Sequence, residues 1–315
     1  MVPNIVFIVP YRDREQQLFF FRNYMKYILE DYNPDDYKIF FSHQTDKREF
    51  NRGATKNIGF LAVKEMYPDD YKDITFVFND IDTIPHKKGL LKYNTNIGVV
   101  KHFYGFIQAL GGIFSIKGRD FEKLNGFPNY WGWGFEDNAM NARVLKNPLM
   151  TINRDNFFKI GDNNIIQLFD SVTRAIVLKN KQKFANDKIT DGITAIKDLT
   201  YDVDGDMINI KTFTATDEYT PSDVVKHDFF NEERKSMFSF RQGLKNTDVA
   251  SASKQPPPPP VAQPPPPPQP MNYVKGSTPL RTGGRISVAQ ANKTMNMSMS
   301  VNQRRGKGGK GFKMF

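Results

Sequence analysis

The N-terminal part of the chain alternates between short apolar runs and longer amphipathic segments, and this alternation restricts the fold more than any other feature. The apolar runs Asn4–Pro10, Tyr37–Ser42 and Ile74–Asn79 are typical of buried strands. The segments between them, Arg14–Glu30 and Ala54–Met66, have helical character. Strands that alternate with helices predict an α/β fold, with a mainly parallel sheet and helices on both of its faces.

In such a sheet, ligands bind beyond the carboxyl ends of the strands, so the residues after each apolar run are candidates for a site. Arg12 and Arg14 follow the first run. Their guanidinium groups could bind a diphosphate or could simply solvate a surface loop. Phe50 and Arg52 follow the second run, and the Phe ring could stack on a base or pack in the core.

A pair of carboxylates, Asp80 and Asp82, follows the third run. Side chains at i and i+2 point the same way from an extended backbone, and two like charges beside a core are unfavourable unless a cation lies between them. Oxygen ligands suit Mg²⁺ or Mn²⁺. The pair therefore indicates a divalent metal site. Further on, Gly111 and Gly112 could allow a close approach of backbone to ligand or could form a plain tight turn.

The segment Asn125–Asn138 contains the only two tryptophans of the chain, each followed by glycine, and then two adjacent carboxylates. Trp131 and Trp133 could be inward anchors, with Glu136 and Asp137 at the start of the next helix. The same composition is typical of a mobile loop that covers a substrate and ends on a catalytic acid or base. Because rings, glycines and carboxylates fall within seven residues, we favour the second interpretation.

Together these motifs resemble the β-1,4-galactosyltransferase family. The matching segments occur in family order and are Pro10-Tyr11-Arg12-Asp13-Arg14, Phe50-Asn51-Arg52, Asp80-Ile81-Asp82, Gly111-Gly112 and Phe127–Asp137. The resemblance extends over roughly residues 4–210, and its last recognisable match is Asp191-Gly192-Ile193, followed by the strand-like Leu199–Val203.

The resemblance implies a GT-A-type fold and a metal-dependent transferase that moves a hexose, with inversion, from a UDP-sugar to an acceptor hydroxyl of a glycan or glycoconjugate. The sugar would be galactose, N-acetylgalactosamine or N-acetylglucosamine. Asp137 would be the base and Glu136 would orient the acceptor. Asp82, helped by Asp80, would hold Mn²⁺ or Mg²⁺. The residues that would bind the nucleotide sugar are Pro10, Tyr11, Arg12, Arg14, Phe50, Arg52, Asp80, Gly111, Gly112 and Trp133.

Two departures from the family pattern affect this expectation. The family has a metal-binding His in a segment that aligns with residues 165–168, which here read Ile-Ile-Gln-Leu. Either carboxylates, nucleotide and water hold the metal, or the metal binds weakly. The family's galactose-specific members have Tyr where this chain has Ala109, and a smaller residue there goes with acceptance of N-acetyl sugars.

Composition bears on the compartment and on the C-terminal region. The 315 residues include no cysteine, and the N-terminal apolar run is too short for a membrane span, so the sequence predicts a cytoplasmic protein without a membrane anchor. Residues 251–315 contain ten Lys or Arg and no acidic residue, which accounts for the net charge of +10. This distribution argues against a nucleic-acid surface on the preceding part.

The same patterns suggest a domain plan. We predict a transferase domain at 1–215, a polar and possibly helical extension at 216–250, and a disordered tail at 251–315 with two five-proline runs. The tail could be a spacer, or could bind a proline-reading domain, an acidic partner or nucleic acid. An alternative function is therefore an inactive transferase fold that works as a binding protein through its tail.

Overall fold

The structure is a computed structural model that describes residues 1–168 and 173–228. The strands are β1 (Ile5–Tyr11), β2 (Tyr37–Gln44), β3 (Thr75–Asn79), β4 (Thr83–Pro85), β5 (Val99–Gly105), β6 (Ile113–Lys117), β7 (Thr151–Asn153), β8 (Phe158–Lys159), β9 (Ile165–Gln167), β10 (Thr173–Val177), β11 (Lys197–Asp204), β12 (Met207–Thr214) and β13 (Val224–Asp228). The helices are α1 (Glu15–Ile28), α2 (Arg52–Met66), α3 (Gly118–Lys123), α4 (Glu136–Lys146) and α5 (Asn180–Ala185), with 3-10 turns at Ile193–Ala195 and Pro221–Asp223. The strands and helices predicted above agree with these bounds to within two residues at each end.

Nine strands form the main sheet. Eight of them lie side by side in the order β11, β12, β2, β1, β3, β6, β5 and β7, and β8 pairs with β5. Neighbouring strands are parallel in five pairs and antiparallel in three. The prediction of an α/β fold with a mainly parallel sheet is therefore confirmed.

The central strand β1 is buried along its whole length, and its side chains alternate between two cores. Val6 and Ile8 belong to a cluster that includes Phe60 of α2. Phe7 lies on the other face, in a cluster that includes Phe21 of α1. Burying each such side chain contributes about 1.5–3 kcal/mol, so the two faces hold α1 and α2 against opposite sides of the sheet.

Close backbone contact fixes the start of α2 against the segment that precedes the tryptophans. A Cβ added to Gly53 would lie 2.0 Å from the carbonyl oxygen of Pro128. The Asn51 side chain caps the helix by accepting a hydrogen bond from the Ala54 amide, and its Nδ2 donates to the Asn129 carbonyl at 2.9 Å. These contacts join the Phe50-Asn51-Arg52 motif to the segment Phe127–Asp137.

The predicted polar extension begins differently from the expectation. Residues 216–228, part of the extension predicted to be polar and possibly helical, contain a 3-10 turn and the strand β13, which pairs antiparallel with β10. The β-branched Val224 and Val225 favour an extended backbone, and β10 supplies hydrogen-bond partners for it.

The predictions for residues 229–250 and for the tail at 251–315 lie outside the described residues, and the tail's partners stay predictions. The cytoplasmic location also stays a prediction. Within the described ranges, none of the helices has the length and apolar character needed to span a membrane.

Candidate functional site

The carboxyl ends of three neighbouring strands meet at one edge of the sheet, because β1 runs parallel to both β2 and β3. A cleft of about 320 Å³ lies at this edge. Eight of the predicted site residues line it, namely Pro10, Arg12, Arg14, Phe50, Arg52, Asp80, Asp82 and Trp133. The structure thus brings together motifs that lie more than 100 residues apart in sequence.

Charged side chains line the cleft, five of them cationic and four acidic, the acidic ones being Asp13, Glu49, Asp80 and Asp82. Arg12, Arg14, Lys47, Arg48 and Arg52 all line it. The Arg12 guanidinium donates a hydrogen bond to the Arg48 carbonyl, and Arg14 Nη1 lies 4.0 Å from Asp82 Oδ2. Guanidinium groups such as those of Arg12 and Arg14 match the oxygens of a diphosphate.

Arg52 connects Asp80, which follows β3, to Glu136 at the start of α4. Its Nη2 lies 2.8 and 2.9 Å from the two carboxylate oxygens of Asp80, and its Nε donates to Glu136 Oε1 at 2.9 Å. Burial alone would lower the pKa of Arg52, but the charges of Asp80, Glu136 and Asp137 outweigh it and raise that pKa well above its ordinary value. The guanidinium is therefore a fixed positive charge between three carboxylates.

The two tryptophans have different environments. Trp131 is 3% exposed, stacks on Phe213 with ring centroids 5.5 Å apart, and donates its indole N–H to the Asp217 carbonyl. The Arg48 guanidinium lies 4.6 Å from the Trp131 ring centre. The anchoring interpretation is therefore correct for Trp131, whereas Trp133 lines the cleft.

The glycine between the tryptophans is required by the backbone. Gly132 has a φ of +74°, and a Cβ at this position would lie 2.7 Å from the Ala175 carbonyl oxygen. The next amide, that of Trp133, donates a hydrogen bond to the same oxygen at 2.6 Å. Strand β10 thereby holds the tryptophan segment at the rim of the cleft.

Both oxygens of Glu136 are engaged by protein groups. Oε1 accepts from Arg52, and Oε2 accepts from the Gly134 amide at 3.1 Å. The side chain is only 4% exposed. In this structure Glu136 holds Arg52 and the glycine-rich segment, and its role in orienting an acceptor stays a prediction.

Asp137 points in another direction, as expected for the next residue at the start of a helix. Its Oδ1 accepts from the ammonium of Lys56 at 2.8 Å, and its Oδ2 lies 4.0 Å from Arg52 Nη2. Burial raises the pKa of Asp137, Lys56 and Arg52 lower it, and the negative charges of Glu136 and Asp80 raise it again, to about 6 in total. The pKa of the Asp137 carboxyl is thus close to neutral pH.

Gly111 lies against Asp137 and Gly112 is bonded to Asp80, although neither glycine lines the cleft. A Cβ at Gly111 would lie 2.3 Å from Asp137 Oδ2. Gly112 has a φ of +69°, and its carbonyl accepts from the Asp80 amide at 2.8 Å. The backbone of Gly111 therefore approaches the Asp137 carboxylate closely. The carbonyl of Gly112 fixes the backbone of Asp80.

Tyr11 is a predicted site residue that packs in the core. It is 6% exposed, packs in the core on the α1 side, and its ring centre is 4.8 Å from that of His43. It is absent from the lining of the cleft. As the last residue of a fully buried strand, its ring is directed into the core.

The two carboxylates of the predicted metal site have opposite electrostatic environments. Burial alone would raise the pKa of Asp80, but the charges of Arg52 and Lys56 lower it below its ordinary value. Burial and the neighbouring Asp80 charge raise the pKa of Asp82. Asp82, with Arg14 4.0 Å away, is therefore the carboxylate whose negative charge is least compensated.

The segment expected to supply the third metal ligand does lie beside Asp82. β9 pairs with β4, and the Leu168 amide donates to the Asp82 carbonyl at 2.8 Å. Among the described residues, no group of three or more His, Cys, Asp or Glu side chains could hold a metal ion. The carboxylates of Asp82 and Asp80 fit a hard divalent cation, which would need further oxygen ligands from outside the protein side chains.

Sequence reasoning missed Lys56. It lies one turn after Arg52 on α2 and is 1% exposed, and its ammonium contacts Asp137. The spacing i, i+4 places Arg52 and Lys56 on the same face of the helix, so the signal was present in the sequence.

Comparison with known proteins places the chain in a family. Residues 2–93 match the model of the N-terminal region of glycosyl transferase group 7. Residues 95–167 match the model described as the N-terminal domain of galactosyltransferase. The two regions together cover just over half of the chain and contain every predicted site residue.

Two curated relatives illustrate the similarity. Xylosylprotein 4-beta-galactosyltransferase of Caenorhabditis elegans is 33% identical over 151 residues, which are 45% of this chain and 50% of the relative. Human beta-1,4-galactosyltransferase 4 is 32% identical over 154 residues, which are 45% of this chain and 42% of the relative. The matched part of the chain thus spans half or less of the length of these relatives.

A solved structure agrees in fold. The catalytic domain of Drosophila beta1,4-galactosyltransferase 7, in complex with xylobiose, superposes with a TM-score of 0.51 at 23% identity, over 66% of this chain and 94% of that domain. Fold, motif order and matched models lead to the same conclusion: the chain belongs to glycosyl transferase group 7, the family of the β-1,4-galactosyltransferases.

Proposed function

We propose that this chain is a metal-dependent, inverting glycosyltransferase that moves a hexose from a UDP-sugar to an acceptor hydroxyl of a glycan or glycoconjugate. The observation that carries the proposal is the Arg52 guanidinium. It joins Asp80, which lines the cleft, to Glu136, which precedes Asp137 on α4. A diphosphate site and a candidate base are thereby held in one arrangement.

The nucleotide would occupy the cleft at the carboxyl ends of β1 to β3. Arg12 and Arg14 line the cleft with charged groups that can bind the diphosphate, and Phe50 offers a ring on which the nucleotide base can stack. Asp82, with Asp80, would hold Mn²⁺ or Mg²⁺. A divalent cation bound there offsets the negative charge that develops on the leaving diphosphate.

The second part of the proposal is proton removal by Asp137. Asp137 accepts the proton of the acceptor hydroxyl. The oxygen of that hydroxyl bonds to the anomeric carbon while the bond from that carbon to UDP breaks. Attack from the face opposite UDP inverts the configuration. A pKa of about 6 leaves Asp137 ionised at neutral pH and still basic enough to take the proton.

The test is UDP release from a panel of UDP-sugars, measured with and without Mn²⁺ and with a set of acceptor sugars. The acceptors should include xylobiose and other xylosides, because a related protein carries the name xylosylprotein 4-beta-galactosyltransferase. We expect metal-dependent release that requires both a donor and an acceptor. Release of UDP from none of the donors would contradict the proposal.

Ala109 leads to an expectation about the donor. It is 7% exposed and lies two residues before Gly111, whose backbone lies against the carboxylate of the proposed base. The missing phenol ring leaves room beside the second carbon of the sugar. We expect UDP-N-acetylgalactosamine or UDP-N-acetylglucosamine to be used at least comparably with UDP-galactose in a competition assay. Turnover of UDP-galactose alone would show that this pocket argument is wrong.

The Asp137 pKa predicts the pH dependence. Because the base must be ionised, kcat/KM should fall as the pH decreases through about 6, well above the ordinary aspartate value of 3.8. A pH–rate profile at saturating metal measures this limb. The residual rate of Asp137→Asn should lack it, and a wild-type profile that is flat through about pH 6 would contradict the assignment.

A further inference from the structure

Lys56 is the most unusual side chain near the proposed site. It projects from the second turn of α2 and is 1% exposed, in a helix whose neighbouring positions from Gly53 to Phe60 are all buried. Lysine is almost never fully buried unless its charge is paired. The presence of a buried ammonium here therefore needs an explanation.

The contacts of the ammonium identify what it acts on. Nζ donates to Asp137 Oδ1 at 2.8 Å, lies 3.9 Å from Asp80 Oδ1, and is 4.5 Å from the centre of the buried Phe127 ring. The strongest of these contacts is the hydrogen bond to Asp137. It joins α2 to the first turn of α4.

A purely stabilising role explains this pair poorly. Removing two charges from water costs several kcal/mol per ion, and replacing a buried ion pair with apolar residues is often neutral or stabilising. A helix–helix contact at this position could be made more simply by a Met or Leu. The pair is better explained by what it does to the geometry of Asp137.

The two oxygens of Asp137 differ because of Lys56. Oδ1 is engaged by the ammonium, whereas Oδ2 accepts no hydrogen bond from the residues that the structure describes. Oδ2 lies against the backbone of Gly111 and 4.0 Å from Arg52 Nη2. The carboxylate is thus held by one oxygen, and the other is left with acceptor capacity.

We propose that Lys56 is a positioning residue for the transfer reaction: by binding Oδ1 it fixes the Asp137 carboxylate so that Oδ2 receives the acceptor proton. This inference rests on the proposed function and adds a residue to it. Without the ammonium, the carboxylate can rotate toward Arg52, and the proton acceptor is lost from its reactive position. A misplacement of about 1 Å can slow an enzyme about 10²-fold.

The first experiment compares Lys56→Met with Lys64→Met. Met keeps much of the length of Lys and removes the charge. Lys64 lies on the same helix, but its side chain is 37% exposed and pairs with Glu122. We expect Lys56→Met to lower kcat about 10–10²-fold, with UDP affinity and KM for the donor changed only a few-fold. Lys64→Met should match the wild type.

A rescue experiment separates charge from packing. Because the chain has no cysteine, Lys56→Cys introduces a unique thiol. In the unfolded protein, its thiolate displaces bromide from 2-bromoethylamine and forms a side chain of nearly the shape and charge of lysine. Refolding should restore most of the rate. The same variant alkylated with iodoacetamide is neutral and should stay slow, and wild-type protein taken through the same steps is the control.

A double-mutant cycle tests whether Lys56 acts through Asp137. If it does, Lys56→Met in the Asp137→Asn background should change the residual rate less than about three-fold, because the two residues act as a unit. Full additivity would show that Lys56 acts elsewhere, for example on Asp80.

The outcomes are distinct. A wild-type chain that releases no UDP from any donor overturns the proposed function and this inference with it. With an active wild type, Lys56→Met at the wild-type rate overturns the inference alone. Equal rescue of Lys56→Cys by 2-bromoethylamine and by iodoacetamide also overturns the inference. If the neutral variants lose their melting transition instead of their rate, Lys56 is structural and the proposal is wrong.

Discussion

Asp137→Asn should slow hexose transfer by about 10²–10⁴-fold, because the amide cannot accept the proton of the acceptor hydroxyl. Asn keeps the size of the side chain, and its amide oxygen can still accept the hydrogen bond from Lys56. The first turn of α4 tolerates the change, since a carboxylate near the helix N-terminus contributes only about 0.3–1 kcal/mol. The rate should therefore fall without loss of the fold.

The measurement is single-turnover transfer at saturating donor and metal, with the melting temperature and UDP affinity determined in parallel. Asp73→Asn is a matched control, because that carboxylate is 70% exposed and pairs with Arg119 at the surface. Transfer by Asp137→Asn within a few-fold of the wild type would remove the central residue of the proposed mechanism.

Asp82→Asn should abolish the metal-dependent part of UDP binding. Asp80 is already neutralised by Arg52, so Asp82 is the carboxylate with charge available for a cation. A neutral amide is a much poorer ligand for a hard divalent ion. Calorimetry of UDP binding with and without Mn²⁺ measures the effect, and we expect the variant to show the same weak binding in both conditions.

The same substitution should leave the metal-free protein at least as stable as the wild type. Because burial and Asp80 raise the pKa of Asp82, its charged form is unfavourable in the folded state. Removing the charge relieves that cost at neutral pH. A melting temperature equal to or above that of the wild type, together with lost metal dependence, identifies a ligand and not a structural residue. Unchanged Mn²⁺–UDP binding would refute the site.

The sequence was sufficient for the part of the fold that depends on local pattern. The fully buried β1 and the periodic α2 were predicted to within two residues, because side-chain alternation and helical periodicity are properties of consecutive residues. The rule that ligands bind at the carboxyl ends of parallel strands then placed Arg12, Arg52 and Asp82 in one cleft.

Side-chain roles inside the tryptophan segment required the tertiary structure. Trp131 and Trp133 lie two residues apart and are both followed by glycine, yet the first is an anchor against Phe213 and the second lines the cleft. Which of them faces the core depends on β12 and β10, which come 40 or more residues later in the chain. Local sequence therefore could not distinguish the two rings.

Motifs and periodicity were enough to assign the family, the first three strands with the first two helices, and half of the residues that line the cleft. The packed structure was needed to show that Lys56 binds Asp137 and that both oxygens of Glu136 are occupied. The physical reason is that an ion pair depends on distances between side chains of different elements, here α2 and α4. Those distances are set by how the two helices pack, as at Gly53 against Pro128, and not by the residues next to them in the chain.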